Sequence, residues 1–171
     1  MQYLRFIIDN RRFLGFGFLL SFFFTFGPPP IIALFGGEIR AEYGLSHVDF
    51  GVLYSIANAL AAVGIIWFGR MIDRTDLRIY SVLVCGLLIA SCLVMSWGTI
   101  IPLLLVALVG FRLAGPGLMN HTVGTSMARY FDAERGRALA ITGIGSPACE
   151  TVAPIIIVGL IAAIGWRETW M

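Results

Sequence analysis

Two charged residues stand where charge is expensive. Arg112 lies near the middle of one long apolar stretch and Glu150 near the middle of the next. A charge at the centre of a bilayer costs on the order of 2.5 kcal/mol or more, so neither residue is a free choice. The two stretches read as an antiparallel hairpin about a turn near residue 132. Arg112 comes about 20 residues before that turn and Glu150 about 17 after it, which at 1.5 Å per residue leaves them about 5 Å apart in depth. Three chemistries suit such a placement. The two side chains can neutralise each other as a structural pair. The planar fork of Arg112 can hold the carboxylate of an anionic solute. Glu150 can take and release a proton as a coupling step. These overlap, because a solute or a proton can open a pair. If the pair forms, neutralising Arg112 alone is expected to do more harm than neutralising both.

Softer candidates share these stretches. Asn58 is placed either to face a cavity or to bond a neighbouring helix. Asn120, His121 and Thr122 follow Arg112 along its stretch. An unperturbed histidine titrates near neutrality, but a hydrogen bond between helices serves His121 equally well.

Other chemistries lack their residues. His47 and His121 sit on different segments, and no histidine, cysteine or carboxylate cluster has metal-ligand spacing. Cys85, Cys92 and Cys149 all fall inside apolar stretches and read as small hydrophobes rather than a disulfide framework. No nucleophile has a base at a recognisable spacing, and no phosphate-cradling glycine loop is present. Neither an enzyme nor a bound cofactor or metal is expected, and no basic, aromatic pattern suggests nucleic acid.

The elements that must carry these residues are membrane helices. Of 171 residues, 58% are hydrophobic and only 13% charged, too little polar residue to cover a water-soluble domain of this size. Mean hydropathy is +0.88. The apolar residues come in blocks of about 20, the length that crosses a bilayer as helix, at roughly 13–35, 50–68, 79–97, 100–128 and 138–164. Barrel strands would be shorter and alternate apolar with polar, which these blocks do not. The fold class expected is therefore an all-α, multi-pass helix bundle of about five transmembrane spans. The first block follows basic residues but is too long for a signal peptide and lacks a small-x-small cleavage site.

Arginine placement predicts the orientation. All twelve basic residues are Arg, and there is no Lys. With the N-terminus in the cytoplasm, nine arginines fall on cytoplasmic segments (5, 11, 12, 70, 74, 78, 129, 135 and 137) and two, Arg40 and Arg167, outside. That is the positive-inside distribution of an inner or plasma membrane protein. Two local signals bear on packing. Gly51, Ser55, Ala59 and Ala62 form a small-residue stripe suited to close helix approach. Gly27-Pro28-Pro29-Pro30 removes three amide donors from the first block, so its helix must bend or break there, either as a simple kink or as part of a solute path.

The loop after the second block reads Gly69-Arg70-Met71-Ile72-Asp73-Arg74-Thr75-Asp76-Leu77-Arg78. It resembles the signature loop of the major facilitator superfamily of secondary transporters, Gly-x-x-x-Asp-Arg-x-Gly-Arg-Arg. Gly69, Asp73, Arg74 and Arg78 match, while Asp76 replaces a glycine and Leu77 a basic residue. Gly110-Phe111-Arg112-Leu113-Ala114-Gly115-Pro116-Gly117 resembles the family's fourth-helix motif, an arginine followed by closely spaced glycines, with Pro116 where a small residue is usual. Ala128-Arg129-Tyr130-Phe131, Arg135-Gly136-Arg137-Ala138 and Gly165-Trp166-Arg167 are similar to bacterial members related to monocarboxylate and oxalate:formate porters. The fifth block, with Gly143, Gly145, Pro147, Glu150 and Pro154, departs from the Gly-x-x-x-Gly-Pro of the family's antiporters.

The resemblance implies the N-terminal portion of such a fold, in which two six-helix halves rock about a midplane site. It implies that Asp73 pairs with a basic residue at the inner end of the fourth helix, Arg129 here, in a latch that also involves Gly69, Arg74 and Arg78. A solvated positive-inside loop is the plainer alternative. Asp73 is also placed to cap the third helix. The expected function is secondary active transport of a small solute, with a small organic anion as the substrate and a proton or counter-substrate as partner. The alternatives are a non-transporting membrane scaffold and an inactive fragment, because the usual central site needs a C-terminal half.

Overall fold

The computed structural model describes residues 2–171, with side chains from residue 4 onward. A short helix, α1 (Gln2–Asp9), leads into α2 (Arg11–Phe23). The chain then tightens into a 3-10 turn at Phe24–Phe26, and Pro28 adopts an extended conformation (ψ 158°) before α3 (Pro29–Leu34) and α4 (Gly36–Tyr43). The 13–35 stretch is therefore a broken helix, as three successive prolines dictate. Four further helices are long and apolar enough to cross a membrane, spanning His47–Asp73, Leu77–Trp97, Ile101–Tyr130 and Arg135–Ile164.

Local chemistry sets their ends. Gly44, at φ 64°, stops α4 in the left-handed conformation that glycine adopts without penalty. Ser46 and Asp49 form a reciprocal capping box that starts α5 (His47–Phe68), which runs on through a 3-10 turn at Gly69–Asp73. The next cap corrects the expectation for Asp73. Asp76 accepts from the amide of Arg78 at 2.8 Å and starts α6 (Leu77–Trp97), leaving Asp73 free for another contact. The aspartate that departs from the family's glycine is thus the capping residue.

The fourth span is α7 (Ile101–Arg112), a π-helical stretch at Leu113–Met119, and α8 (Asn120–Tyr130). Pro116 has no amide to offer the carbonyl of Arg112 four residues back, and a π turn absorbs the mismatch. The last span is α9 (Arg135–Gly143) and α10 (Gly145–Ile164). Gly165, at φ 94°, turns the chain into a final 3-10 turn at Glu168–Trp170.

The fourth span is the centre of the bundle. Its apolar window is 56% buried, against 11% for the second span and 17% for the fifth. It packs against α5, α6 and the broken first span. The first and fourth spans cross backbone on backbone at Gly27 and Gly115. A Cβ on Gly115 would lie 2.6 Å from the Phe24 carbonyl oxygen, and one on Gly27 would collide with the Phe111 carbonyl. Only glycine permits that approach. Trp170 stacks between Phe35 and Phe111, with ring centroids at 4.4 and 4.7 Å, and closes the bundle at that end.

The small-residue stripe of α5 does not meet another helix of the described residues. Gly51, Ser55, Ala59 and Ala62 are exposed, while Ala57 and Ala61 are buried against the fourth span. Both sets have helical spacing and small size, so spacing alone could not choose the buried face.

Candidate functional site

The break in the first span makes the central polar site. The Gly27 carbonyl lies just outside α3 and has no helical partner required of it. Two side chains converge on it: the Tyr54 hydroxyl donates at 3.3 Å and Arg112 Nη1 at 3.5 Å. The Arg112 guanidinium also lies over the Tyr54 ring, 5.8 Å from its centroid, a geometry in which the ring face attracts the cation. Asn58, one helical turn beyond Tyr54 on α5, has a buried Oδ1 with no hydrogen-bond partner among the described residues. Asn58, Arg112, Pro116 and Gly117 line a cavity of about 260 Å³.

A second, wider groove of about 680 Å³ continues along the same span, lined by Gly117, Asn120, His121, Gly124 and Thr125 and reaching Arg129. Gly117 belongs to both, so they run into one another along one face of the fourth span. The structure thus places Arg112 and Asn58 in the smaller cavity and His121 in the wider groove, with Gly117 common to both. His121 is exposed there and makes no helix-to-helix hydrogen bond among the described residues.

Glu150 is not part of it. It is exposed on α10, its hydrogen bond is to Ser146 Oγ at 3.5 Å, and no ion pair joins it to Arg112. Ser146 in turn contacts Thr25 of the first span at 3.3 Å. Matching depths do not make a pair, because contact also requires the same helix face. Arg112 turns towards α5 and Gly27, whereas Glu150 lies with the residues of α10 that meet α2 and its 3-10 turn.

The two ends of the bundle carry different ion pairs. At one end Arg129 Nη2 lies 3.3 Å from Asp73 Oδ1 and 3.3 Å from the Ile72 carbonyl, so the Asp73 and Arg129 named from the loop resemblance do meet. Gly69 begins the 3-10 turn that carries Asp73, and Arg74 and Arg78 flank it, exposed. At the other end Arg167 donates to Glu42 through Nε at 2.9 Å and Nη2 at 2.7 Å, and to the Ser96 carbonyl at 2.7 Å. Trp166 Nε1 reaches the second oxygen of Glu42 at 2.9 Å, and Tyr43 donates to the Gly98 carbonyl at 2.7 Å. The hydrogen bond from Arg167, opposed by partial burial and aided by Trp166, holds the Glu42 carboxyl below its ordinary value of 4.5. The same bond raises Arg167.

Sequence reasoning did not find Tyr54, the Gly27 carbonyl or Glu42. Tyr54 had a signal: it precedes Asn58 by four residues and shares its helix face. The Glu42–Arg167 contact joins residues 125 apart in sequence, and no local pattern announces it.

Comparison with known proteins agrees with this architecture. Neither a curated protein nor a solved structure gives a significant match. The model of the Major Facilitator Superfamily matches residues 8–171. With that match running across the broken first span, the signature loop and the central arginine helix, the chain belongs to the Major Facilitator Superfamily, whose members are transporters.

Proposed function

We propose that this chain forms the N-terminal part of a secondary active transporter that moves a small organic anion by alternating access, with Arg112 as the anion-binding group. The observation that carries this reading is an under-satisfied cation. Arg112 has five donors, yet among the described residues it meets one carbonyl at 3.5 Å and the ring and hydroxyl of Tyr54, and no carboxylate. It lines a cavity beside an equally unsatisfied Asn58 oxygen. A bidentate anion on the guanidinium, with a donor group offered to Asn58, would complete both inventories. His121 lies in the adjoining groove; on this proposal Glu150, outside that cavity on α10, exchanges a coupling proton, or a counter-substrate takes that role.

The orientation has the N-terminus in the cytoplasm of an inner or plasma membrane, which the arginine distribution supports. On that reading the Asp73–Arg129 contact lies at the cytoplasmic end, and Gly69, Asp73, Arg74, Arg78 and Arg129 form a latch that opens during the cycle. The opposing half of the cavity comes from a C-terminal partner half. The sparsely buried apolar faces of α5 and α10 support a surface that packs against lipid and that half.

Reconstituting the protein in proteoliposomes and measuring uptake of labelled small mono- and dicarboxylates tests this. Saturable uptake that Arg112→Gln abolishes supports it. Uptake of neutral solutes with Arg112→Gln intact would overturn the anion assignment, and absence of any flux would favour a scaffold.

A further inference from the structure

A second basic groove lies at the end of the bundle that carries Asp73. It has a volume of about 510 Å³ and is built where the start of α2, the start of α6 and the end of α8 meet. Arg12, Arg78 and Arg129 line it, and the Asp76 carboxylate, which is occupied in capping α6, is the one acidic group there. With Asp73, which pairs with Arg129 from just outside the lining, three cations face two carboxylates and leave a local excess of one positive charge. Arg129 already shares Asp73. Neither Arg12 nor Arg78 forms an ion pair among the described residues.

Beside the charged groups the lining is mostly apolar, with Thr75 and Ser126 as its two hydroxyls. Phe13 and Tyr130 stack at 3.8 Å between ring centroids, beside the arginines. Phe16, one turn further along α2, and Leu77, at the start of α6, add to the apolar wall. The groove is separate from the Arg112 cavity; Arg78 and Arg129 are shared with the proposed latch, whereas Arg12, Phe13 and Phe16 have no part in the proposed transport reading.

We propose that this groove binds an anionic two-chain phospholipid, its phosphate held by Arg12, Arg78 and Arg129 and its acyl chains lying along Phe13, Phe16 and Leu77. The guanidinium fork matches phosphate oxygens bidentately. Basic pockets between membrane helices at the headgroup level take acidic lipids for this reason. The charge and the apolar wall argue together. A soluble anion would use the arginines but not the apolar wall, and a zwitterionic lipid would bring its own cation against the positive excess.

Native mass spectrometry of the full chain, purified in neutral detergent and titrated with phosphatidylglycerol, tests this. One retained phosphatidylglycerol per protein is expected, with retention weakened about tenfold or more in the R12Q/R78Q double variant. A control with equal loss of charge, R11Q/R70Q, removes arginines outside the groove and is expected to retain the lipid as the parent does. The charge-conserving R12K/R78K variant is expected to keep most of it. Equal loss in the control would mean a diffuse charge effect and would overturn the proposal. So would equal retention of phosphatidylcholine, or displacement by inorganic phosphate at matched concentration, which would make the groove a free-phosphate site. Failure of the parent to retain any phosphatidylglycerol, with Arg12 and Arg78 shielded from guanidine-reactive labels, would assign the groove to a protein segment instead. Each of these readouts is independent of transport, so the outcome stands whether or not Arg112 binds the substrate.

Discussion

Arg167 and Arg112 are the same side chain in two opposite situations. Arg167, at the bundle's end, donates to a carboxylate, a backbone carbonyl and a phenol, and its side chain is 18% exposed. Arg112, in the middle of an apolar span, has one long contact to a carbonyl and an aromatic face. The first is a finished structural joint tying together the ends of the first, third and fifth spans. The second carries the larger desolvation cost and the smaller compensation. In the proposed function, its unspent donors take an anion from the adjoining cavity.

The largest expected effect breaks the comparison on the Arg112 side. Arg112→Gln is expected to lower anion uptake about 10- to 100-fold, the worth of charged hydrogen bonds of about 1.5–3 kcal/mol, while leaving the unfolding temperature close to the parent's. Uptake assays with a parallel thermal unfolding curve check both halves. Loss of stability without loss of uptake would make Arg112 another structural joint.

Arg167→Ala is expected to do the reverse. Removing several charge-assisted hydrogen bonds should cost about 1–3 kcal/mol, lowering the unfolding temperature by roughly 2–4 °C per kcal/mol, with apparent substrate affinity unchanged. Calorimetry or dye-monitored unfolding reads the first, and a concentration series of uptake the second.

The acid sensitivity of that joint has a defined sign. The folded Glu42 carboxyl titrates below its ordinary value, so its contribution is complete above that value and is lost as the pH falls through the depressed folded one. Between neutral pH and pH 3 the parent should lose stability that Glu42→Gln does not, because the variant lacks the titrating group. Unfolding curves across that range measure the difference.

Tyr54→Phe is expected to have the smallest effect. It removes a hydroxyl that shares the Gly27 carbonyl with Arg112 but keeps the ring beneath the guanidinium. A change in uptake of less than about tenfold corresponds to one neutral hydrogen bond of about 0.5–1.5 kcal/mol. Tyr54→Ala, which also removes the cation–π surface, should be worse.

The architecture was legible because bilayer physics writes it in blocks: length, apolarity and arginine placement suffice for helices, and three consecutive prolines for the break. Asp73 with Arg129 was legible from a motif; Asn58 and Arg112 were each legible as polar residues in apolar runs, but their common cavity was not. The Arg112–Glu150 pair was not there to be found. Depth follows from counting residues, but helix azimuth depends on tertiary packing and on the π turn at Pro116, which shifts the residues after it. The face of α5 that meets the fourth span was likewise not legible, since α5 has two faces of small residues and only packing selects the one carrying Ala57 and Ala61. The joint around Arg167 depends on two segments 125 residues apart, and its geometry comes from the positive φ of Gly165.

The most direct test compares uptake by R112Q, E150Q and R112Q/E150Q in the same vesicles. With Arg112 serving the anion rather than Glu150, the double variant should transport no better than R112Q alone. Recovery of uptake in the double variant would show that the two charges neutralise each other during the cycle, and would contradict the assignment of Arg112 as the anion-binding group.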